Sequence, residues 1–328
     1  MLNLGIIGCG RVTSMFHIKA IDKVPEFKIT AVSDIDPKRM KSVQQSCSVP
    51  NAYENYSLLL QDEGIDAVVV NTPPRFHEEI VLQSLDYGKH VLCEKPLSTT
   101  VDGCKRIMNK IGKTGLIVLP ARNYAFTPGL LMMEKLIAEN SIGSVTGMKV
   151  IFGNNLKQYK SVTDFRTQKS NGLVEDVLPH VLSVIHPILG YCTSVEDVDW
   201  SRKTYDVCDN MCATLKTSSG VDVQCSMSWT KLVPTFDVEI QGEKGTLSGE
   251  FGLKPFTVDV KTDAGTKVYD EKGLSWYLDL IQFKHPSFQN QYRHFADLIT
   301  SDCKARLTIQ DEINILETID ALSTYLES

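Results

Sequence analysis

Residues 4–14 read LGIIGCGRVTS, and they follow Leu2 and Asn3 in a short apolar run that ends at two closely spaced glycines. A β-branched run that stops at Gly8 and Gly10 and resumes with helical character predicts strand, tight turn, helix. In that turn, side-chain-free positions let backbone amides and a helix N-terminus face a pyrophosphate. The third glycine position of such a fingerprint is Thr13, so the match is incomplete, and a plain β-to-α turn is the simpler alternative. Working outward, FKITAVS, DAVVV, HVLC and GLIVL repeat the strand signal over the first 120 residues. Helical character fills 11–21, 37–46, 76–87 and 99–112, the last entered through Ser98, Thr99 and Thr100 as candidate caps. Strands without polar alternation, spaced by helices, predict a doubly wound parallel sheet covered on both faces.

The period changes after about residue 125. Val221, Val223, Cys225, Met227 and Trp229 alternate with Asp222, Gln224, Ser226 and Ser228, and Phe236, Val238 and Ile240 alternate with Asp237 and Glu239. Turns are supplied at Ser219-Gly220, Gly242–Gly245 and Ala264-Gly265, so the second half is predicted to be an α+β domain on an open, largely antiparallel sheet. The expected boundaries are 1–122 and 123–328, with closing helices near 288–300 and 309–327. The apolar face from Val221 to Trp229 is expected to meet either a second subunit or helices of its own chain.

A length of 328 residues suits two domains, and 42% hydrophobic with 23% charged residues excludes bulk disorder. The balance of 34 basic and 40 acidic residues, −6 net, gives no global field for nucleic acid or anionic lipid, and neither is an expected partner. Nine scattered cysteines without a C-x-x-C pair read as free thiols in a reducing cytoplasm, and Cys208 with Cys212 reads as core, so no metal site is expected. The N-terminus lacks the pattern of a signal peptide. Residues 177–195 carry no formal charge, but they contain His180, His186, Pro179, Pro187 and Gly190, which predicts a buried helix that stops.

Several residues can carry chemistry. Asp34 ends the second strand, where a carboxylate accepts hydrogen bonds from adenosine ribose hydroxyls and repels a 2′-phosphate; a helix cap before Pro37 is the bland alternative. That favours NAD over NADP, although Lys38 and Arg39 lie where they could hold such a phosphate. Thr72, Pro73 and His77 follow the third parallel strand, and Glu94 and Lys95 the fourth, both at carboxyl ends where an open parallel sheet binds ligands. A lysine held there can lose solvation and take or give a proton, although most lysines simply face water. Asp176 and His180 are four apart on one helical face, a spacing equally suited to a structural pair and to a catalytic one. Arg166, with Lys157, Lys160 and Lys169, precedes that helix and could touch an anionic substrate; a solvated loop is the usual reading.

Taken together, GIIGCGRV, the run AVVVNTPPRFHEEIVLQSLDYGKHVLCEKPLSTT and EDVLPH resemble the Gfo/Idh/MocA oxidoreductases, which act on sugars and cyclitols. The most specific part is residues 66–100, where T-P-x-x-x-H is followed by G-K-H-V-L-x-E-K-P-L. The resemblance implies a Rossmann domain and an open-sheet domain, with the substrate in the cleft between them, in a homodimer or homotetramer. Gly8, Gly10, Arg11 and Val12 would cradle the pyrophosphate, Asp34 and Arg39 would meet the adenosine end, and Thr72, Pro73 and His77 the middle of the cofactor. Glu94, Lys95 and Asn123 would sit toward the nicotinamide. Substrate would be held by Lys95, Arg166, Asp176 and His180, with His180 moving the proton, Asp176 behind it, and Lys95 orienting the substrate and contacting both it and the cofactor. Two departures bear on substrate identity: Asn123-Tyr124-Ala125-Phe126-Thr127-Pro128 lacks an arginine common at Ala125, and Ser183 stands where an aspartate is common. Two further readings stay open on the same residues: a non-catalytic NAD-bound sensor, and a hydrolase or epimerase that oxidises transiently with tightly bound NAD.

Overall fold

The computed structural model describes residues 1–156, 171–270 and 284–326. These form two compact units, one of Met1–Asn123 with residues 284–313, the other of residues 124–156 and 171–270 with 314–326.

The first unit is built on six parallel strands: β1 (Leu2–Ile7), β2 (Phe27–Ser33), β3 (Asn51–Tyr53), β4 (Ala67–Val70), β5 (His90–Cys93) and β6 (Val118–Pro120), in the order β3-β2-β1-β4-β5-β6. Every residue of β4 is buried, which is why that segment reads as an unbroken run of Ala and Val. The order reverses between β1 and β4, so the loops after these two strands diverge and leave the crevice in which doubly wound sheets bind ligands. The helices are α1 (Ile18–Ile21, continuing a π-helical turn at Thr13–His17), α2 (Pro37–Ser46), α3 (Tyr56–Leu60), α4 (His77–Asp86) and α5 (Val101–Thr114). Of the three candidate caps before α5, Thr100 does the work, its hydroxyl accepting from Gly103 N–H at 3.0 Å.

A split at residue 122 does not capture this unit, because α8 (Pro286–Thr300) belongs to it as well. The cause is aromatic packing. Tyr292 and Phe295 are fully buried in the same core as Leu4, Ile6 and Phe27, and Phe27 stacks on Phe295 with centroids 5.7 Å apart.

The second unit places α6 (Pro128–Ala138), α7 (Leu173–Leu189) and α9 (Ile309–Leu326, of which residues 314–326 belong here) with eight strands: β7 (Val145–Asn155), β8 (Cys192–Ser201), β9 (Asn210–Thr217), β10 (Asp222–Ser228), β11 (Thr230–Gly242), β12 (Gly245–Glu250), β13 (Thr257–Thr262) and β14 (Gly265–Asp270). The sheet order is β14-β13-β12-β11-β7-β10-β9-β8, antiparallel throughout except between β7 and β10. The alternating residues Val223, Cys225 and Met227, with Trp229, are buried beside Val177, Val181 and Val184 of α7. The apolar face is therefore covered by a helix of its own chain, and it gives no support to subunit association. The charge-free stretch read from sequence forms α7 from Val177 onward, and the helix stops at Gly190 (φ 75°). Among the described residues no helix is long and apolar enough to cross a membrane.

Candidate active site

In the first unit the turn after β1 is fixed from three sides. Gly8 has φ 95°, and a Cβ there would lie 2.7 Å from the carbonyl carbon and oxygen of Asn71, so this position excludes every side chain. Thr13 stands where the fingerprint has its third glycine. It is buried, donates its hydroxyl to Gly8 O at 2.6 Å and accepts from Asn71 Nδ2 at 3.0 Å. The incomplete fingerprint is thus a working turn, tied to the loop after β4 by hydrogen bonds. Gly10 is the open side, since a Cβ there would meet nothing within 4 Å.

Asp34 accepts from the backbone N–H of Cys9 at 2.6 Å and of Asp36 at 2.7 Å. Its alternative reading as a helix cap is excluded, because Asp36 caps α2 by accepting from the N–H groups of Lys38 and Arg39. Beside Asp34 lies a hollow of about 340 Å³ lined by Cys9, Gly10, Arg11, Ser14, Lys38, Arg39 and Ser42. Its makeup suits a phosphate-bearing nucleotide: an open glycine, two hydroxyls and three cationic side chains. Two buried polar atoms of the neighbouring loop, Asn71 Oδ1 and Thr72 Oγ1, lack a hydrogen-bond partner among the described residues, as expected for groups that await a polar ligand. Residues and cofactor therefore fit.

Pro73 is exposed beside Thr72, whereas His77 is buried. One ring nitrogen of His77 lies 2.6 Å from Thr72 O and the other 2.7 Å from Pro96 O. It holds together the two loops that carry Thr72 and Lys95 and reaches a ligand only through them. Glu94 follows β5, its side chain four-fifths buried. One oxygen lies 2.9 Å from His17 Nε2, and the other accepts from the backbone N–H of Lys95 at 3.1 Å. Burial pushes this carboxyl up, but the His17 hydrogen bond and charge, together with the Lys95 charge, outweigh it and hold Glu94 below its ordinary range. His17 Nδ1 is in turn 2.7 Å from the hydroxyl of Tyr292. Neither His17 nor Tyr292 is among the residues singled out by sequence reading. The segment is also braced from beyond Lys95. The Leu97 N–H donates to Glu312 at 3.3 Å, and Glu312 grips Arg122 by two bonds of 2.7 Å with both side chains buried. Asn123 donates to Ser287 Oγ at 3.0 Å.

In the second unit, Asp176 and His180 share the half-buried side of α7 while Leu173, Val174, Val177 and Leu178 face the core. The start of α7 is set by Gly172 (φ 48°) and by the bond from Leu173 N–H to Cys208 O at 2.9 Å. The neighbouring Asp209, fully buried, accepts from Lys203, Thr204 and Tyr205 N–H and so fixes that loop. The His180 ring stacks on Phe152 (5.6 Å, 11°) and meets Tyr124 edge-on (5.3 Å, 86°). Tyr124 packs in turn against Phe236 at 4.6 Å. An imidazole clamped between two rings has its plane fixed, and its nitrogens stay in that plane. Ser183 is buried and donates to His180 O at 2.6 Å, which keeps it within the helix. Arg166, Lys157, Lys160 and Lys169 lie outside the described residues.

Comparison with known proteins agrees with this architecture. Residues 2–121 match the model of the oxidoreductase family with an NAD-binding Rossmann fold, and residues 130–248 match the Gfo/Idh/MocA C-terminal domain. The chain is 25% identical over 327 residues to a D-xylose 1-dehydrogenase (NADP(+)) of Haloferax volcanii, covering 99% of this chain and 97% of that one. It is 27% identical over 256 residues to an inositol 2-dehydrogenase/D-chiro-inositol 3-dehydrogenase of Shouchella clausii, covering 75% and 71%. In fold it is similar to an oxidoreductase from Agrobacterium radiobacter crystallised with NAD+, L-tartaric acid and magnesium, with a TM-score of 0.85, 19% identity, and coverage of 98% and 94%. With both of its units matched in order, the chain belongs to the Gfo/Idh/MocA family of NAD-binding oxidoreductases.

Proposed function

We propose that the protein is an NAD-dependent dehydrogenase that oxidises a secondary alcohol of a sugar, a cyclitol or a nucleotide sugar, reversibly. The observation that carries this reading is the place of Lys95. It lies two residues past the end of β5, at the carboxyl end of the same parallel sheet whose first strand runs into the Gly8–Gly10 turn. When bound, NAD supplies the hydride acceptor, C4 of its nicotinamide. Gly8, Gly10, Arg11 and Val12 hold the pyrophosphate, Asp34 the adenosine ribose, and Thr72 and Pro73 the middle of the cofactor, with His77 securing their loop. Glu94 and Asn123 shape the nicotinamide end. Lys95 orients the substrate hydroxyl and His180 takes its proton as the carbonyl forms, with Asp176 one helical turn before it. The names of the xylose and inositol dehydrogenases among the relatives support the substrate class. Because Arg39 and Lys38 line the hollow beside Asp34, NADP is bound more weakly rather than refused.

The test is reduced-nicotinamide absorbance with NAD or NADP against a panel of inositols, free sugars, sugar phosphates and nucleotide sugars. Lys95→Met and His180→Ala are expected to lower kcat by about 10²–10⁴ while NAD affinity is kept. Unchanged turnover in both variants overturns the assignment. A cytoplasmic homodimer or homotetramer remains the expected state, and light scattering after gel filtration checks the assembly.

A further inference from the structure

Two residues of one cluster in the first unit, His17 and Tyr292, have no part in the scheme above. His17 is fully buried, with one ring nitrogen on Tyr292 and the other on Glu94, and Tyr292 is fully buried as well. A buried polar chain of this kind is costly unless each member is satisfied, and here one arrangement satisfies all three. An ionised Glu94 only accepts, so Nε2 must carry the proton it presents. In the neutral imidazole Nδ1 is then the acceptor, and the Tyr292 hydroxyl donates to it. The reverse tautomer would set two lone pairs against each other at 2.9 Å. Tyr292 thus fixes the tautomer of His17, and Phe288, edge-on to the His17 ring at 5.5 Å, helps fix its plane. The second oxygen of Glu94 accepts from the N–H of Lys95.

We propose that His17, backed by Tyr292, is a positioning residue of the redox site: it fixes the Glu94 carboxylate, which in turn holds the backbone from which the Lys95 ammonium extends. This rests on the assignment of Lys95 given above. The titratable groups that face the pair are Lys95 on the same loop, Tyr292 from α8, and the buried thiol of Cys93 at the end of β5; burial first, then the charge of Glu94, pushes both the Tyr292 phenol and the Cys93 thiol up. The Tyr292 phenol and the Cys93 thiol are thus pushed away from the neutral range, so Glu94 is the acidic group here whose proton affinity responds to His17. Remove the imidazole, and the burial that pushes Glu94 up is opposed by less. The carboxyl then protonates at higher pH, its grip on the Lys95 N–H weakens, and the acid limb of the rate profile follows it upward.

The experiment uses the full chain with four substitutions: His17→Leu, His17→Gln, Tyr292→Phe and Lys95→Met. Glutamine presents an amide N–H to Glu94 and an oxygen to the Tyr292 hydroxyl, so it replaces both bonds without an imidazole. The expected result for His17→Leu is a fall in kcat of about 100-fold, little change in the Kd for NAD, and an acid limb moved up by about one pH unit. His17→Gln restores both turnover and limb toward wild type. A second readout needs no turnover: nitrogen-15 spectra of the histidine rings show a proton on Nε2 and an accepting Nδ1 for His17, an arrangement lost in Tyr292→Phe. Should His17→Leu fail to fold, Tyr292→Phe takes its place, with a smaller upward move of the limb expected. Equal damage from leucine and glutamine, a fall in turnover with the limb unmoved, or a proton on Nδ1 overturns the proposal. If Lys95→Met stays active, the underlying assignment falls; if Lys95→Met is inactive while His17→Leu keeps full turnover, only the role of His17 falls.

Discussion

Exchanging Asp34 for asparagine tests the cofactor site without knowledge of the substrate. In the present structure one carboxylate oxygen accepts from Cys9 N–H and the other from Asp36 N–H, so the group is tied to Cys9, a residue that lines the hollow, with lone pairs to spare for the ribose. A hydrogen bond to a charged acceptor is worth about 1.5–3 kcal/mol and one to a neutral acceptor about 0.5–1.5. Loss of the charge therefore weakens NAD by about 1 kcal/mol, or about fivefold. NADP gains instead. Two like unit charges 4 Å apart repel by about 4 kcal/mol at an effective dielectric constant near 20; a half-exposed group in salt keeps a fraction of that, about 1–2 kcal/mol. Arg11, Lys38 and Arg39 already line the hollow, so the phosphate finds cations once the repulsion is gone. The two effects multiply, and the ratio of the NADP to the NAD dissociation constant should fall by about 100-fold. Titration calorimetry of wild type and Asp34→Asn with both cofactors measures it. The amide oxygen can still accept from Cys9 N–H while the amide nitrogen cannot accept from Asp36 N–H, so the turn should survive with the loss of one bond, which a melting temperature lowered by only a few degrees verifies. A ratio that moves by less than about threefold in a folded variant refutes the placement of the ribose at Asp34.

The buried pair of Arg122 and Glu312 offers a stability test. Glu312→Leu strands a guanidinium that is 2% exposed and should cost about 3–5 kcal/mol, whereas Arg122→Met with Glu312→Leu should recover most of it; urea unfolding of the singles and the double measures the coupling, and a double as damaged as the single refutes the reasoning. Thiol chemistry offers another. Burial, foremost among the causes, pushes Cys9, Cys104, Cys208 and Cys225 each up to about 12, which leaves roughly 10⁻⁴ of each as thiolate at pH 8. The exposed Cys212 should therefore be alkylated first in the native protein, as peptide mass mapping can establish, and early labelling of Cys9 would contradict the buried turn.

What could be read in advance and what could not divides by sequence distance. LNLGII, FKITAVS and HVLC coincide with β1, β2 and β5 because burial on both faces of a parallel sheet imposes a local composition. The glycine turn and the Glu94-Lys95 segment are contiguous, so their chemistry lies open in the letters. The parts that hold these segments in place do not. His17 sits 275 positions from Tyr292, and Arg122 sits 190 from Glu312. Each of these residues, read alone, is one polar letter in a helix or a strand end. Thr13 misleads in the same way: it counts as a defect in the fingerprint until its hydroxyl is seen joining Gly8 to Asn71. Tyr124 and Phe152 are far apart in sequence and bear no mark of a shared role, yet they clamp the ring expected to move the proton. A ligand-facing residue must match the chemistry of its ligand, and this restricts its identity to a few side chains. A supporting residue needs only to match its neighbour, and the neighbour is known only once the chain has folded.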